Sequence, residues 1–111
     1  MKDRNQIQLI GYVGTDPHVK EFSNGNKRAR IMVATHAPNH RKTEADPVTY
    51  STTWHTVVAW EKTAEFAANN FLKGSHILID GKVIYRSFEN KFGVKQTVTE
   101  IIAHSLINLD R

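Results

Sequence analysis

From Asn5 to Leu9 polar and apolar residues alternate, which is the two-residue period of a strand, and Gly11 and Gly14 close the run. Glycines placed there predict a bulge or tight bend of the kind a small barrel needs. Thr15-Asp16-Pro17 makes a turn, with Pro17 fixing the backbone. His18 to Phe22 reads as a short strand, and Ser23-Asn24-Gly25-Asn26 as a hairpin turn of the Asn-Gly type. Lys27 to His36 is a second full strand with Ala29, Ile31 and Val33 on one face. Between Ala37 and Ser51 the period lapses into two prolines and mixed charge. A loop of roughly fifteen residues is expected there, a length that is usually functional or disordered.

The third strand runs from Thr52 to Trp60. Trp54, Thr56, Val58 and Trp60 share one parity, and His55, Val57 and Ala59 the other. Glu61 to Gly74 then changes period: Ala64, Ala67, Ala68, Phe71 and Leu72 form one helical stripe, with Glu61 in the first turn, Lys73 in the last and Gly74 as the stop. Ser75 to Arg86 predicts a fourth strand, Ser87 to Gly93 a hairpin tip, and Val94 to Leu109 a long, bent last strand. With the short strand left out of the count, five strands carry one helix between the third and fourth. This order predicts an all-β fold, a five-stranded OB-fold barrel, as one domain over residues 1–111.

Composition narrows the chemistry. The chain has 111 residues, 15 Lys+Arg against 11 Asp+Glu (15 − 11 = +4), and no cysteine. The missing cysteine excludes disulfide scaffolds, thiol catalysis and thiolate metal sites. The longest apolar runs are four residues, Ile31–Ala34 and Val57–Trp60, too short for a transmembrane helix. Met1 to Gln6 leads into no apolar segment, so no secretory signal and no membrane partner are expected, and the expected location is cytoplasmic. A positive balance favours an anionic partner such as nucleic acid, although many small proteins are mildly basic for solubility alone.

The aromatic residues sharpen that choice. Trp54 and Trp60 lie on one strand face, six positions apart, which is roughly 20 Å of extended chain at about 3.3 Å per residue. Phe88 sits at the expected hairpin tip between Arg86 and Lys91, with Tyr85 and Phe92 close by. Rings bordered by cations suit stacked nucleobases with phosphates alongside, and such stacking tolerates any base. Tryptophans on a strand are equally compatible with barrel core. Candidate phosphate contacts are Arg4, Lys20, Arg28, Lys42, Lys62, Lys73, Arg86, Lys91 and Lys95, scattered point charges of the sort a backbone-tracking groove requires.

Metal and catalytic chemistry find little support. His36 and His40 have a helical ligand spacing, but Pro38 between them denies the helix. A metal-dependent hydrolase built on His36, His40 and His76 is the enzymatic alternative. Neither a nucleophile elbow nor a phosphate-binding glycine loop occurs, and the acidic residues do not cluster. No enzyme activity, no metal and no cofactor are therefore expected. His55 faces away from Trp54 and reads as a hydrogen-bonded structural residue.

Taken together, Asn5–Lys20, Asn24–Thr35, Thr52–Phe88 and Lys91–Ala103 resemble the bacterial-type single-stranded DNA-binding proteins over about residues 5–109. The order Trp-His-x-Val-Val-x-Trp, Lys-x-Ala-Glu, Leu-Lys-Gly-Ser is specific to that family. The resemblance implies an OB-fold assembled as a homotetramer, with single-stranded DNA wrapped over it in replication, recombination and repair. It implies stacking at Trp54, at Trp60 (where many members have Phe) and at Phe88 (where many have Trp). The family's aromatic early in the long loop has no equivalent here, and Asn39 or His40 stands in its place, with His40 a weak stacking candidate. Lys62 and Lys73 match basic family positions, and His55 is similar to a histidine implicated in subunit contacts. Family members usually continue through a flexible linker to an acidic tip that recruits repair and replication enzymes. This sequence stops at Leu109-Asp110-Arg111, as either a tailless variant or a piece of a longer protein; for a tailless variant tail-mediated recruitment is expected to be absent, and the expected location becomes nucleoid-associated cytoplasm. The competing expectation within the same fold is a tailless, primosomal-type accessory module acting mainly through protein partners.

Overall fold

The structure is a computed structural model, and it describes residues 3–38 and 50–110. The elements follow the order β1 (Ile7–Val13), β2 (His18–Glu21), β3 (Lys27–Pro38), β4 (Tyr50–Trp60), α1 (Lys62–Asn70), β5 (His76–Glu89) and β6 (Lys95–Asn108). The strands are ordered β1-β5-β6-β4-β3-β2, and β1 also pairs with β3. That extra pairing closes β1, β3, β4, β6 and β5 into a five-stranded barrel. Among the described residues, β2 is a short flap paired only with β3. All neighbours are antiparallel except β4 and β6, which meet in parallel over Val57–Ile101 and Val58–Ile102. This is the expected OB-fold barrel; the helix falls between the third and fourth barrel strands, or between β4 and β5 once β2 is numbered.

Side-chain alternation fills the barrel. Ala29, Ile31 and Val33 of β3, Val57 and Ala59 of β4, Ile77 and Ile79 of β5, and Ile101 and Ala103 of β6 point inward. The helix adds Ala64 and Ala67, and Phe71 directly after it is 1% exposed. Burying a ring of that size contributes about 1.5–3 kcal/mol relative to leaving it in water. β1 crosses β3 so closely that a Cβ at Gly11 would collide with the Ala34 carbonyl oxygen. Glycine at that position lets the barrel close.

The last strand carries a bulge that decides its facing. Asp80 pairs with Ser105 and Gly81 with Ala103, so His104 is the extra residue. A one-residue insertion inverts the alternation beyond it. Leu106 therefore enters the core, and Ile107 is left exposed.

Three expectations are corrected. The helix ends at Asn70 rather than near Gly74, because Phe71 is extended (φ −129°, ψ 142°) while its N–H still reaches the Ala67 carbonyl. Leu72 is consequently exposed and Lys73 lies outside the helix, while Ala68, within the helix, is exposed because it lies off the buried Ala64–Ala67 face. The loop expected between Ala37 and Ser51 is strand at both ends, where Ala37 pairs with Ser51 and Pro38 with Tyr50. The β5–β6 hairpin is also longer than expected: Phe88 is a strand residue opposite Gln96, and the turn is made by residues 90–94, with Asn90 Oδ1 accepting from the Phe92 and Val94 amides.

Candidate nucleic-acid interface

The outward-facing positions of β3, β4, β6 and β5 form a groove along the barrel. Register builds it: Arg28 lies opposite Trp60, Arg30 opposite Val58, Val58 beside Ile102, Ile84 opposite Glu100 and Arg86 opposite Val98. One half, about 250 Å³, is lined by Arg28, Trp60, Ile84 and Ile102 among others; the other, about 290 Å³, by Thr56, Phe88 and Val98. Arg30, Arg86 and Glu100 line both. An aromatic ring thus stands toward each end, with three guanidinium groups and one carboxylate between.

None of the three candidate stacking rings is sealed in the core. Trp54 is 56%, Trp60 40% and Phe88 37% exposed. Arg86 lies 5.8 Å from the centroid of Phe88, a cation–π distance, and donates from Nε and Nη2 to the two oxygens of Glu100 at 3.2 and 3.3 Å. Trp60 stacks on Phe22 with centroids 6.0 Å apart and planes 24° from parallel. Lys20 and Arg28 in turn approach the Phe22 ring at 5.0 and 5.4 Å. Trp54 lies farther along β4, opposite Ala34, with its ring across Gly14, where a Cβ would strike the indole. Two small residues give that ring a flat seat and leave its outer face open.

The chain matches the model of the "Single-strand binding protein family" over residues 4–109. The chain belongs to the single-strand binding protein family. Among curated relatives, the single-stranded DNA-binding protein of Bacteroides thetaiotaomicron is 31% identical over 92% of this chain and 63% of its own length. Single-stranded DNA-binding protein 1 of Chlorobaculum tepidum is 33% identical over 88% of this chain and 60% of its own. The chain thus spans about three-fifths of the length of these relatives. The solved structure of a Plasmodium falciparum SSB complex with ssDNA superposes with a TM-score of 0.86 at 28% identity, covering 99% of this chain and 98% of that one.

On the frame of this family member, the remaining candidates separate. Arg28 and Arg86 belong to the groove, and Lys20 reaches it through Phe22. Lys91 sits 5.2 Å from the Phe92 ring at the β5–β6 turn, and Lys95 opens β6 opposite Glu89. Lys62 lies with Thr63, Phe66, Ser105 and Leu106 beside the helix, and Arg4 with Asn5, Gln6, Asp80, Gly81 and His104; neither depression shares a residue with the groove. The Lys73 amide donates to Asp16 while Gly74 bonds to Val13, tying that loop to the segment holding Gly14 under Trp54. His55 is half-buried, 2.9 Å from the Thr35 hydroxyl. His40 and Lys42 lie outside the described residues. His36 and His76 both approach Tyr12, at 6.5 and 4.6 Å between centroids, and no group of three potential metal ligands occurs among the described residues. No helix among the described residues is long and apolar enough to cross a membrane.

Two charged or aromatic groove residues, Phe22 and Glu100, were not legible as such in the sequence, whereas Arg30 opens the same strand as Arg28 and shares its outer parity. Phe22 stacks on Trp60 only because the β2 flap folds over β3, and Glu100 enters the groove only because β6 pairs with β5 as it does.

Proposed function

We propose that the chain binds single-stranded DNA with little regard to sequence, in replication, recombination and repair, by stacking bases on Trp54, Trp60 and Phe88 and neutralising phosphates with neighbouring cations. The observation that carries this reading is the pair of open rings, Trp60 and Phe88, on a groove lined by Arg28, Arg30 and Arg86, with a third open ring, Trp54, farther along β4. Family membership and the likeness to an SSB solved with ssDNA support it. Three stacks of roughly 1–3 kcal/mol each give at most about 3–9 kcal/mol per subunit before ordering costs. Lys20, Lys91 and Lys95 extend the positive track beside Phe22 and the hairpin turn, and Lys73, Lys62 and Arg4 serve a strand that continues around the barrel. No catalytic step is needed for this role. Its natural setting is the nucleoid-associated cytoplasm.

The reading includes assembly as a homotetramer. Among the described residues β1 pairs with β3 only at Tyr12 and Val13, which leaves the edge from Ile7 to Gly11 without a strand partner there. Beside that edge, Ile10, Leu78 and Ile107 align in register across β1, β5 and β6, with Ile10 54% and Ile107 50% exposed. An unpaired edge next to an apolar row suits burial against an identical copy. The reading also assigns His55 to a subunit contact, an assignment that the family resemblance supports.

The test is tryptophan emission during titration with oligo(dT). Stacking on Trp54 and Trp60 quenches it in proportion to occupancy. Unchanged emission at saturating oligonucleotide would overturn the stacking mechanism.

A further inference from the structure

We infer that Tyr12, braced against the imidazole of His76, is a further stacking platform, which carries a bound single strand on from Trp54 to the β1 side of the barrel. The inference rests on the single-strand reading above and adds a station to the path of the strand.

Register brings the two rings to one place. Trp54 of β4 lies opposite Ala34 of β3, Ala34 opposite Tyr12 of β1, and Tyr12 opposite His76 of β5, so the four form one row across the barrel. Ala34 is small and covered, and the Trp54 indole extends as far as Gly14, two residues beyond Tyr12. Two residues of extended chain span roughly 7 Å at about 3.3 Å per residue, which sets indole and phenol side by side. The phenol is both held and open. His76 stacks on it with centroids 4.6 Å apart and planes 13° from parallel, while His36 stands 6.5 Å off and tilted by 57°. His76 is itself fixed at both backbone groups: its N–H donates to Asp110 Oδ2, and its carbonyl accepts from the Leu109 amide. Tyr12 nevertheless remains 48% exposed, close to the 56% of Trp54. A ring already immobilised on one side loses little further freedom when a ligand stacks on what is left.

The chemistry around the ring favours a nucleic-acid strand over a protein surface as its occupant. Ile10, Leu78 and Ile107 offer only apolar side chains. Tyr12, His36 and His76 are rings with polar tips, and burial against an apolar partner would leave those tips without water or hydrogen-bond partners, at a cost. A stacked base covers the flat faces and leaves the tips wet. A cation stands close by as well. Gly74 donates to the Val13 carbonyl and the Lys73 amide to Asp16, which ties exposed Lys73 to the end of β1 that carries Tyr12. A flat π surface beside a lysine, continuous with the Trp54 platform, takes a base and its phosphate together, and does so for any base.

The test is photocross-linking of the wild-type chain to oligo(dT) carrying iododeoxyuridine in place of thymidine, with the adducts located by mass spectrometry. Iodouracil joins to a ring on which it is stacked, so Tyr12 should be modified as well as Trp54, Trp60 and Phe88. Tyr12→Ala is expected to lower oligo(dT) affinity by roughly tenfold, the scale of one base–ring stack, and Tyr12→Phe, which keeps the ring, to restore it. Sedimentation of Tyr12→Ala should match that of the wild-type chain. An adduct map without Tyr12, or unchanged affinity in Tyr12→Ala, overturns the inference. Altered sedimentation in Tyr12→Ala overturns it too, because the ring would then belong to a contact between copies. Failure of the wild-type chain to bind oligo(dT) at low salt would instead overturn the single-strand reading itself, so the two failures are told apart.

Discussion

β5 contributes outward-facing side chains to two regions of opposite character. At its start Leu78 lies between Ile10 and Ile107 in an apolar row, while farther along Ile84, Arg86 and Phe88 line a groove of rings and guanidinium groups. β5 keeps one alternation throughout, with Ile77, Ile79, Gly81 and Val83 inward, so its outer chemistry changes by composition alone. β6 reaches the same division differently. Its outer positions are Val98, Glu100 and Ile102 before the bulge at His104, and Ile107 after it. A small barrel has too little interior for its outer surface to be only a solvated shell. Here that surface is divided between a face suited to another copy of the chain and a face suited to a polyanion, joined by the same two strands.

Separate mutations should break the two faces apart. The largest effect is expected from Ile10→Arg. The side chain is already exposed in a single subunit, so folding is little affected, whereas burying an unpaired guanidinium against a second copy costs several kcal/mol. If the proposed tetramer rests on this row, sedimentation should show it reduced to smaller species, each still quenched by oligo(dT); an unaltered assembly would remove the apolar row from the contact. Next in size is Trp60→Ala, which removes a stacking ring and leaves Phe22 without its partner. Oligo(dT) affinity should fall roughly five- to 150-fold, the loss of about 1–3 kcal/mol, with assembly unchanged. If assembly falls as well, the two faces are coupled and the division is not clean.

Local periodicity was enough to read the barrel. Ala29, Ile31 and Val33 alternate within a single strand, and the spacing of Ala64, Ala67 and Phe71 announces the helix without knowledge of its neighbours. The outer parity of Trp54 and Trp60 was legible for the same reason. What stayed hidden depends on which strands touch. The row of Ile10, Leu78 and Ile107 draws on three strands and on a bulge that inverts the last of them, so no single segment displays it. Glu100 looks like an ordinary polar position next to the core residue Ile101 until pairing places it under Arg86. The helix end was misjudged because Phe71 fits the stripe equally well as the last helical residue or as an extended one packed beneath it.

The smallest effect, and the finest test of the groove, belongs to Arg30. Arg28 is engaged with the Phe22 ring, and Arg86 with Phe88 and Glu100. Arg30 is exposed, faces both halves of the groove, and forms no ion pair or cation–π contact among the described residues. Of the three arginines it is the one free to meet a phosphate without giving up an internal partner. Arg30→Ala should therefore leave base stacking intact and change the salt dependence instead. The slope of log affinity against log salt should become shallower by about 0.7, the counterion release of one single-strand phosphate contact. Arg86→Ala should give a different pattern: it strips Glu100 of its counter-charge, so affinity falls by more than one phosphate contact explains. Equal slopes and equal losses in the two variants would mean that the groove's cations act as an undifferentiated field, and that the pairing of Arg86 with Glu100 has no bearing on how a strand is held.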